Sequence, residues 1–592
     1  MLQRALFVLV LLLLIPSLSF AAIDAQKISE LRAEVVQDIT AHTSGSSIEL
    51  TVDVLIPQED GFQKRESLEV SIPYTLKEDD MGNEMVTVVI ENPADVVDFQ
   101  IRSIVTVNRR TSITLPKSSG LLRSTDLIES KNPDIISLAE QITAGKSIGF
   151  EQVSAVAGWI NKNINYDLKY ADVNLSASQV LNLKAGVCDE MSTLELSMLR
   201  SLGYPSAYVV GYAYGRGYRT VDDFVPHGWT EVCSPNGECF SADPTWAEVG
   251  WLDSMHIKFA TLQNSGNYIE ATALAKGYGG DLKVGIDGVN TKIKILDTKE
   301  EHVVEAKSEL LEDTVSKGYA IVKTDLSSDG CIMTKITRSS CTLDGKSLLK
   351  TEMDSGTVSL CGKKSVFSLF KLPDTLDKNT RYSCSLGIAV GGNGVSENTV
   401  VLESTKDGAT VPRLSLDKTS LKPNEEFIAV SLGAHIFTDF GKYGKDSLVS
   451  KAPSESFKIF AYKGGQLAEQ DVDVSQYRPL EIKVFVNSTL VVGKIYGVNV
   501  SVQNVADSEK EVSVTLGNIT SKSTVSVSKS KIFKFNFTAE TLDDSIVRVF
   551  VSTRDFSTSV SKSVEVIQPS MGNFIQEIIQ AVIDFLKKLF GG

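Results

Sequence analysis

A lone cysteine heads a helical pattern in "AGVCDEMSTLELSMLRSLGYP", residues 185–205. Good helix formers follow Cys188, with apolar residues at Leu194, Leu196, Met198, Leu199 and Leu202. This spacing predicts a helix with Cys188 at or near its start. Unpaired backbone N–H groups and the helix dipole favour an anion there. The anionic thiolate is the nucleophilic form of cysteine, and the same N–H groups can bind a developing oxyanion. A thiol nucleophile also needs a base. The chain has five histidines, His42, His227, His256, His302 and His435. His227 opens the strand-like run "HGWTEV", and "ADPTW", with Asp243, follows soon after. If the two runs pair, His227 and Asp243 lie side by side. His227 would then take the thiol proton while Asp243 orients the imidazole, and Pro244 fixes the chain just beyond. Taken singly, each residue has a plainer role: a packed cysteine, a structural histidine, an Asp-Pro turn. Their order within one predicted domain favours the catalytic set.

The other six cysteines explain why Cys188 stands apart. Cys233 and Cys239 flank the Pro-Asn-Gly turn "SPNGE" between strand-like runs, a natural disulfide position. Their spacing is not that of a zinc pair. Cys331, Cys341, Cys361 and Cys384 fall in one later region and suffice for two bridges, with the pairing left open. Six cysteines can pair, so Cys188 is expected to be free. No metal or other cofactor is expected.

These motifs resemble the transglutaminase-like superfamily of papain-type cysteine enzymes. "GVCDEMSTLELSMLRSLGYPSAYVVGY", "HGWTEV" and "ADPTW" occur in the family's order, after a similar lead-in in "AVAGWINKNINYDL" and "SASQVLNLKAGVC". The resemblance covers about residues 150–250. It implies an α+β fold with the cysteine on a central helix against a sheet. It also implies Cys188 as nucleophile, His227 as base and Asp243 as orienting acid. Gly228 stands where the family often has alanine, a difference expected to matter little. The implied activity is attack on an amide bond through an acyl-enzyme on Cys188. A peptidase or amidase is favoured, because water is the default acceptor. The alternatives are a protein-cross-linking transglutaminase and a non-catalytic adhesive or binding surface protein. Tyr212, Tyr214, Tyr218 and Trp229 are candidates for a cleft wall or for core packing.

A chain of 592 residues is too long for one core. The expected fold is multidomain, a transglutaminase-like α+β core flanked by β-sandwich modules. Residues 1–22 read as a signal peptide: Arg4, an apolar run interrupted by Pro16, then small residues before a cut near Ala21 or Ala22. An uncleaved anchor is the alternative. Period-two alternation predicts an N-terminal β domain over 23–120, and helices followed by strands mark the transglutaminase-like domain over 125–265. A β domain with four cysteines is expected over 285–410. An uncertain β module or connection spans 411–475, and an immunoglobulin-like sandwich spans 478–567. Residues 572–592 read as an amphipathic helix, whose 573–590 stretch could meet a membrane surface or a protein, or pack on its own sandwich.

The leader and paired cysteines place the chain outside the cell or on its surface. Glycosylation sequons occur at Asn174, Asn487, Asn499, Asn518 and Asn536. The formal net charge of −15 argues against nucleic acid as a partner. The expected partner is a protein or peptide substrate.

Overall fold

Strand β1 (Ile28–Leu55) organises the first sheet in the computed structural model. The structure describes residues 24–568 except 117–118, 216–222, 267–269, 316–317, 344–345, 348, 353–355, 374–380, 392–395, 404–409, 454, 476–478, 518, 542–545 and 554–555. The expected leader, the C-terminal helix, Tyr218 and Asn518 therefore lie outside the described residues. Strands β2 (Gln63–Val70), β3 (Thr75–Glu78), β4 (Glu84–Glu91) and β5 (Val96–Asn108) join β1 in the order β2-β5-β1-β4-β3. Alternation along β5 buries Phe99, Ile101, Val105 and Val107 and turns their neighbours outward.

A 30-residue strand far along the chain completes this sheet. It is designated β13 (Ala271–Glu300) and runs antiparallel to β1, from Ile28↔Glu300 to Val54↔Ala271. The expected module start at 285 falls inside this strand.

Between β5 and β13 lies the region that carries the motifs. Four helices come first: α1 (Pro133–Thr143), α2 (Phe150–Asn163), α3 (Ala177–Leu183) and α4 (Cys188–Ser201). Asn132 caps α1 by accepting from the Asp134 N–H at 3.0 Å, with Pro133 in the first turn. Two short strands, β6 (Asn165–Tyr166) and β7 (Ala185–Gly186), pair in parallel just ahead of Cys188. Helix α4 is buried on every face from Met191 to Ser201, as expected of a helix surrounded by other elements.

The sheet beside α4 contains β8 (Ser206–Gly215), β9 (Asp223–Cys233), β10 (Cys239–Asp243), β11 (Glu248–Val249) and β12 (His256–Leu262), in the order β12-β8-β9-β10-β11. Val156, Ile160, Leu194, Met198, Val232 and Ala242 form the core shared by helices and strands. Tyr212, Tyr214, Ile257 and Phe259 pack instead against Leu31, Val35, Val105 and Val107 of the first sheet. The central strands are thus covered on both sides, which explains their near-continuous burial.

The rest of the described chain is made of strands and their connections, with no helix among its described residues. Residues 305–403 share a core that includes Val322, Phe370 and Leu386, together with Trp251. The Trp251 indole N–H donates to the Met333 carbonyl at 2.8 Å, and β11 continues the sheet through Val249↔Met333. Disulfides join Cys331 to Cys361 and Cys341 to Cys384. Residues 415–474 form further strands over a core of Phe427, Ile436, Ile459 and Val472. Residues 480–567 contribute a sheet of 480–485, 495–504 and 530–538 and a second of 519–525, 510–516, 546–552 and 557–563, sharing Val498, Val500, Val514 and Val549. The described residues are mostly β. Among the described residues no helix is long and apolar enough to cross a membrane.

Trp251 is fully buried where the motif-bearing region meets the cysteine-bearing strands. Trp251→Ala opens a cavity and strands the Met333 carbonyl, with an expected loss of about 3–5 kcal/mol. Chemical denaturation should show the lower midpoint, and an unchanged midpoint contradicts this packing role.

Candidate active site

Cys188 is the first residue of α4 and is half-buried. It is the one free cysteine of the chain, the other six being bonded. Two local features hold its turn. A Cβ on Gly186 would fall 2.5 Å from Cβ of Glu190, so the position needs glycine for close packing. Glu190 also reaches back, its Oε2 accepting from the Val187 N–H at 3.0 Å. This is half of a capping box, because valine has no side-chain oxygen to return the bond. Helical geometry leaves the Cys188 N–H without an acceptor inside α4.

His227 reaches the site from β9, and Asp243 from the end of β10. These strands pair through Cys239↔Cys233 to Ala242↔Thr230, with the Cys233–Cys239 disulfide locking the far end. A one-residue slip would turn His227 away from Asp243. In the register observed, His227 Nε2 lies 2.8 Å from Asp243 Oδ2. Nε2 is thereby committed, which leaves Nδ1 to face Cys188. The Cys188 side chain is close enough to His227 to interact with its ring. The three residues singled out in the sequence are thus brought into one line.

Asp243 is fully buried and satisfied on both oxygens. Oδ1 accepts from the Thr245 N–H at 2.7 Å and the Trp246 N–H at 3.3 Å, the tight turn anticipated at Asp-Pro. Burial works against its charge. The His227 and His256 imidazoles outweigh that effect and hold the carboxyl well below its ordinary 3.8. Burial likewise works against a charged His227, but the Asp243 carboxylate and the Cys188 sulfur push it up to about 10. The Trp246 ring stacks on His227, with centroids 4.4 Å apart and planes within 11°, and restrains its rotation.

Other buried acids surround the line. Burial and the Asp189 carboxyl push Glu190 up to about 8. Burial, with the Asp243 charge adding to it, pushes Glu195 up to about 8, against the bond its Oε2 accepts from Thr230 Oγ1 at 2.7 Å.

Of the two roles expected of the aromatic residues, core packing is the one observed among those described, and two other details differ from the sequence expectation. Trp229 is completely buried among Val209 and Leu252, and Tyr212 and Tyr214 are core residues, so packing takes precedence over a cleft. Gly228 matters more than expected. A methyl there would lie 2.1 Å from the Tyr208 hydroxyl, and Tyr208 is itself buried. Most important, His256 joins the site. Its Nε2 lies 3.4 Å from Asp243 Oδ2 and its Nδ1 3.0 Å from Asp253 Oδ1. The sequence signal was thin: a histidine opening a strand, three residues after an aspartate.

Two buried triplets, His227–Asp243–His256 and Glu248–Asp253–His256, bring ligand-type atoms within 4.8 Å of one another, close enough for a metal ion. The imidazole nitrogens of both triplets are taken up by the hydrogen bonds just described, so their donor chemistry fits imidazolium–carboxylate pairing.

Cys188, His227 and Asp243 form a candidate cysteine-enzyme site, and the family match points to the same coarse kind. Residues 136–244 match the transglutaminase-like superfamily, and this segment is a transglutaminase-like domain. An uncharacterized protein of Mycobacterium leprae (strain TN) is 31% identical over 96 residues, which are 16% of this chain and 34% of that protein. The chain thus spans about a third of that relative's length. Among solved structures, "a Putative Cysteine Protease from Cytophaga hutchinsonii" aligns at 18% identity and a TM-score of 0.34, covering 46% of this chain and 93% of that one. Red sea bream transglutaminase aligns at 10% identity and a TM-score of 0.19, covering 89% and 93%.

The shifts fix the sign of a pH dependence. His227 binds its proton more tightly when folded than at its ordinary 6.5. Its stabilisation is therefore complete below about pH 6.5 and lost as pH rises towards 10, and His256, pushed up to about 9, adds in the same sense. Asp243 contributes above its ordinary 3.8 and loses that contribution as pH falls. The melting temperature should decline between about pH 7 and 10, less steeply in His227→Gln than in the wild type. Parallel declines would rule out the buried imidazolium at 227.

Proposed function

We propose that this chain is an exported cysteine hydrolase that cleaves amide bonds in a protein or peptide through an acyl-enzyme on Cys188. The observation that carries the reading is the 2.8 Å bond from His227 Nε2 to Asp243, with Cys188 on the other side of the ring. In this scheme the Cys188 thiolate attacks the carbonyl carbon, and the oxyanion is met by the N–H groups at the start of α4. His227 gives its proton to the leaving amine, and a thioester remains on Cys188. Water then attacks the thioester and passes a proton to His227, and the acid product leaves as the thiolate re-forms. Asp243 keeps the imidazole aligned throughout. If a primary amine replaces water in the second step, the same residues perform protein cross-linking.

Compartment and layout belong to the same proposal. The three disulfides are consistent with an extracellular protein. We read the transglutaminase-like segment as an α+β enzyme core carried among β modules, the last an immunoglobulin-like sandwich. Asn487, Asn499 and Asn536 are exposed in that last region. Asn499 pairs across to Phe485 and Lys534, and Asn536 to Gly497, so two acceptors are neighbours on one outer face. The 573–590 stretch remains our candidate for a membrane-surface or protein contact.

Two experiments test these readings. Iodoacetamide should label Cys188 at neutral pH at least about tenfold faster than a simple thiol, with Cys188→Ala blank. A peptide library incubated with and without a primary amine then separates new carboxyl ends from amine adducts. Labelling no faster than a simple thiol removes the enzyme reading. Separately, peptide mapping of the protein from its own source, before and after enzymatic glycan release, should find glycan at Asn487, Asn499 and Asn536. Bare peptides at all three remove that assignment.

A further inference from the structure

His256 is the buried titratable group that the scheme above leaves unused. It opens β12, is completely buried, and has both ring nitrogens facing carboxylate oxygens. A carboxylate only accepts, so a ring bonded at both nitrogens carries two N–H groups and a positive charge. The groups around it come from every neighbouring element. Asp243 ends β10, Asp253 precedes β12, Glu248 lies on β11 and His227 on β9. Trp229 and Trp246 meet its ring edge-on at centroid distances of 5.3 and 5.0 Å. Arg109 faces the Glu248 and Asp253 carboxyls from beyond the cluster. Glu248 is held by Gln26 Nε2 at 2.8 Å and the Asp253 N–H at 3.1 Å. Burial and the Asp253 charge push Glu248 up to about 8.

We propose that His256 is a positioning residue for the Cys188–His227–Asp243 line: anchored by Asp253, it brings a second N–H to the Asp243 oxygen that binds His227. This rests on the reading of Cys188 and His227 as nucleophile and base. The consequences differ from those of packing alone. Asp243 Oδ2 is shared between two imidazoles, so its pull on the His227 proton is moderated. The His256 charge, on a ring centred 5.6 Å from that of His227, also favours the neighbouring thiolate over the thiol. Without it the thiolate–imidazolium pair forms at higher pH.

The test follows the pH profile of Cys188 alkylation by iodoacetamide in the full chain. His256→Gln keeps an amide donor towards Asp243 and removes the charge. Its labelling midpoint should move up by about one pH unit, with labelling at pH 6 slower by about fivefold. Asp253→Asn leaves His256 in place with a weaker anchor and should shift the midpoint in the same direction by less. A folded His256→Gln or Asp253→Asn protein whose profile superimposes on the wild type overturns the proposal. If His256→Gln does not fold, Asp253→Asn decides the matter alone. Failure of the underlying catalytic reading looks different, because wild-type Cys188 would then label like a simple thiol. In that case the same two variants are compared by melting temperature from pH 6 to 10, where an alkaline decline unchanged from wild type also overturns the buried charge at 256.

Discussion

The carboxylate of Asp243 is the constraint around which the central region is arranged. A charge with no exposure to water persists only if the protein replaces the solvent. Four donors do so here: two backbone N–H groups of the following turn and two imidazoles. Those donors come from β9, β12 and the chain after β10. The pairing of these strands, the disulfide at the hairpin end and the stacked Trp246 therefore answer to one requirement. Removing one partner takes a donor from a buried charge, which costs more than the bond itself contributes.

Helix α4 is the second fixed element. It brings Cys188 to the imidazole from the opposite side, and its burial leaves it little freedom to shift. Its far end is also held. The Arg200 guanidinium, nearly inaccessible to water, bonds the Ser206 and Gln263 carbonyls, and Arg548 approaches the Arg200 carbonyl at 3.3 Å. A residue of the 480–567 region thus touches the C-terminal end of the helix whose other end carries the nucleophile. The cation stands at the negative end of the helix dipole, against a carbonyl that also accepts from the Gly203 N–H at 3.0 Å.

The Cys188, His227 and Asp243 positions were legible in sequence because each sits in a local context with its own signature. These are a glycine before a helix, a strand opener and an Asp-Pro turn, linked by a hairpin whose cysteines declare its ends. His256 had no such context. Its partners are Asp253 within the same loop and Asp243 across the sheet, and only the fold brings the second near. The late cysteines show the same limit. Four cysteines permit three pairings, and the choice of Cys331–Cys361 and Cys341–Cys384 follows from strand register. Period-two alternation located most strands. It did not anticipate β13, where "KGYGGDLKVGIDG" breaks the pattern with glycines while the backbone continues along β1.

The β1–β13 pairing also sets an order of events during synthesis. Residue 28 cannot meet residue 300 until everything between has been made. At the usual ribosomal pace of roughly 5–20 residues per second, that interval is on the order of tens of seconds. Strands β4 and β5 cover one side of β1 early, while the other side remains an open edge of the kind that recruits foreign strands. The segment holding Cys188, His227 and Asp243 is a loop thrown out between the two sides of an unfinished sheet. The last strand to arrive closes the sheet over both of its ends.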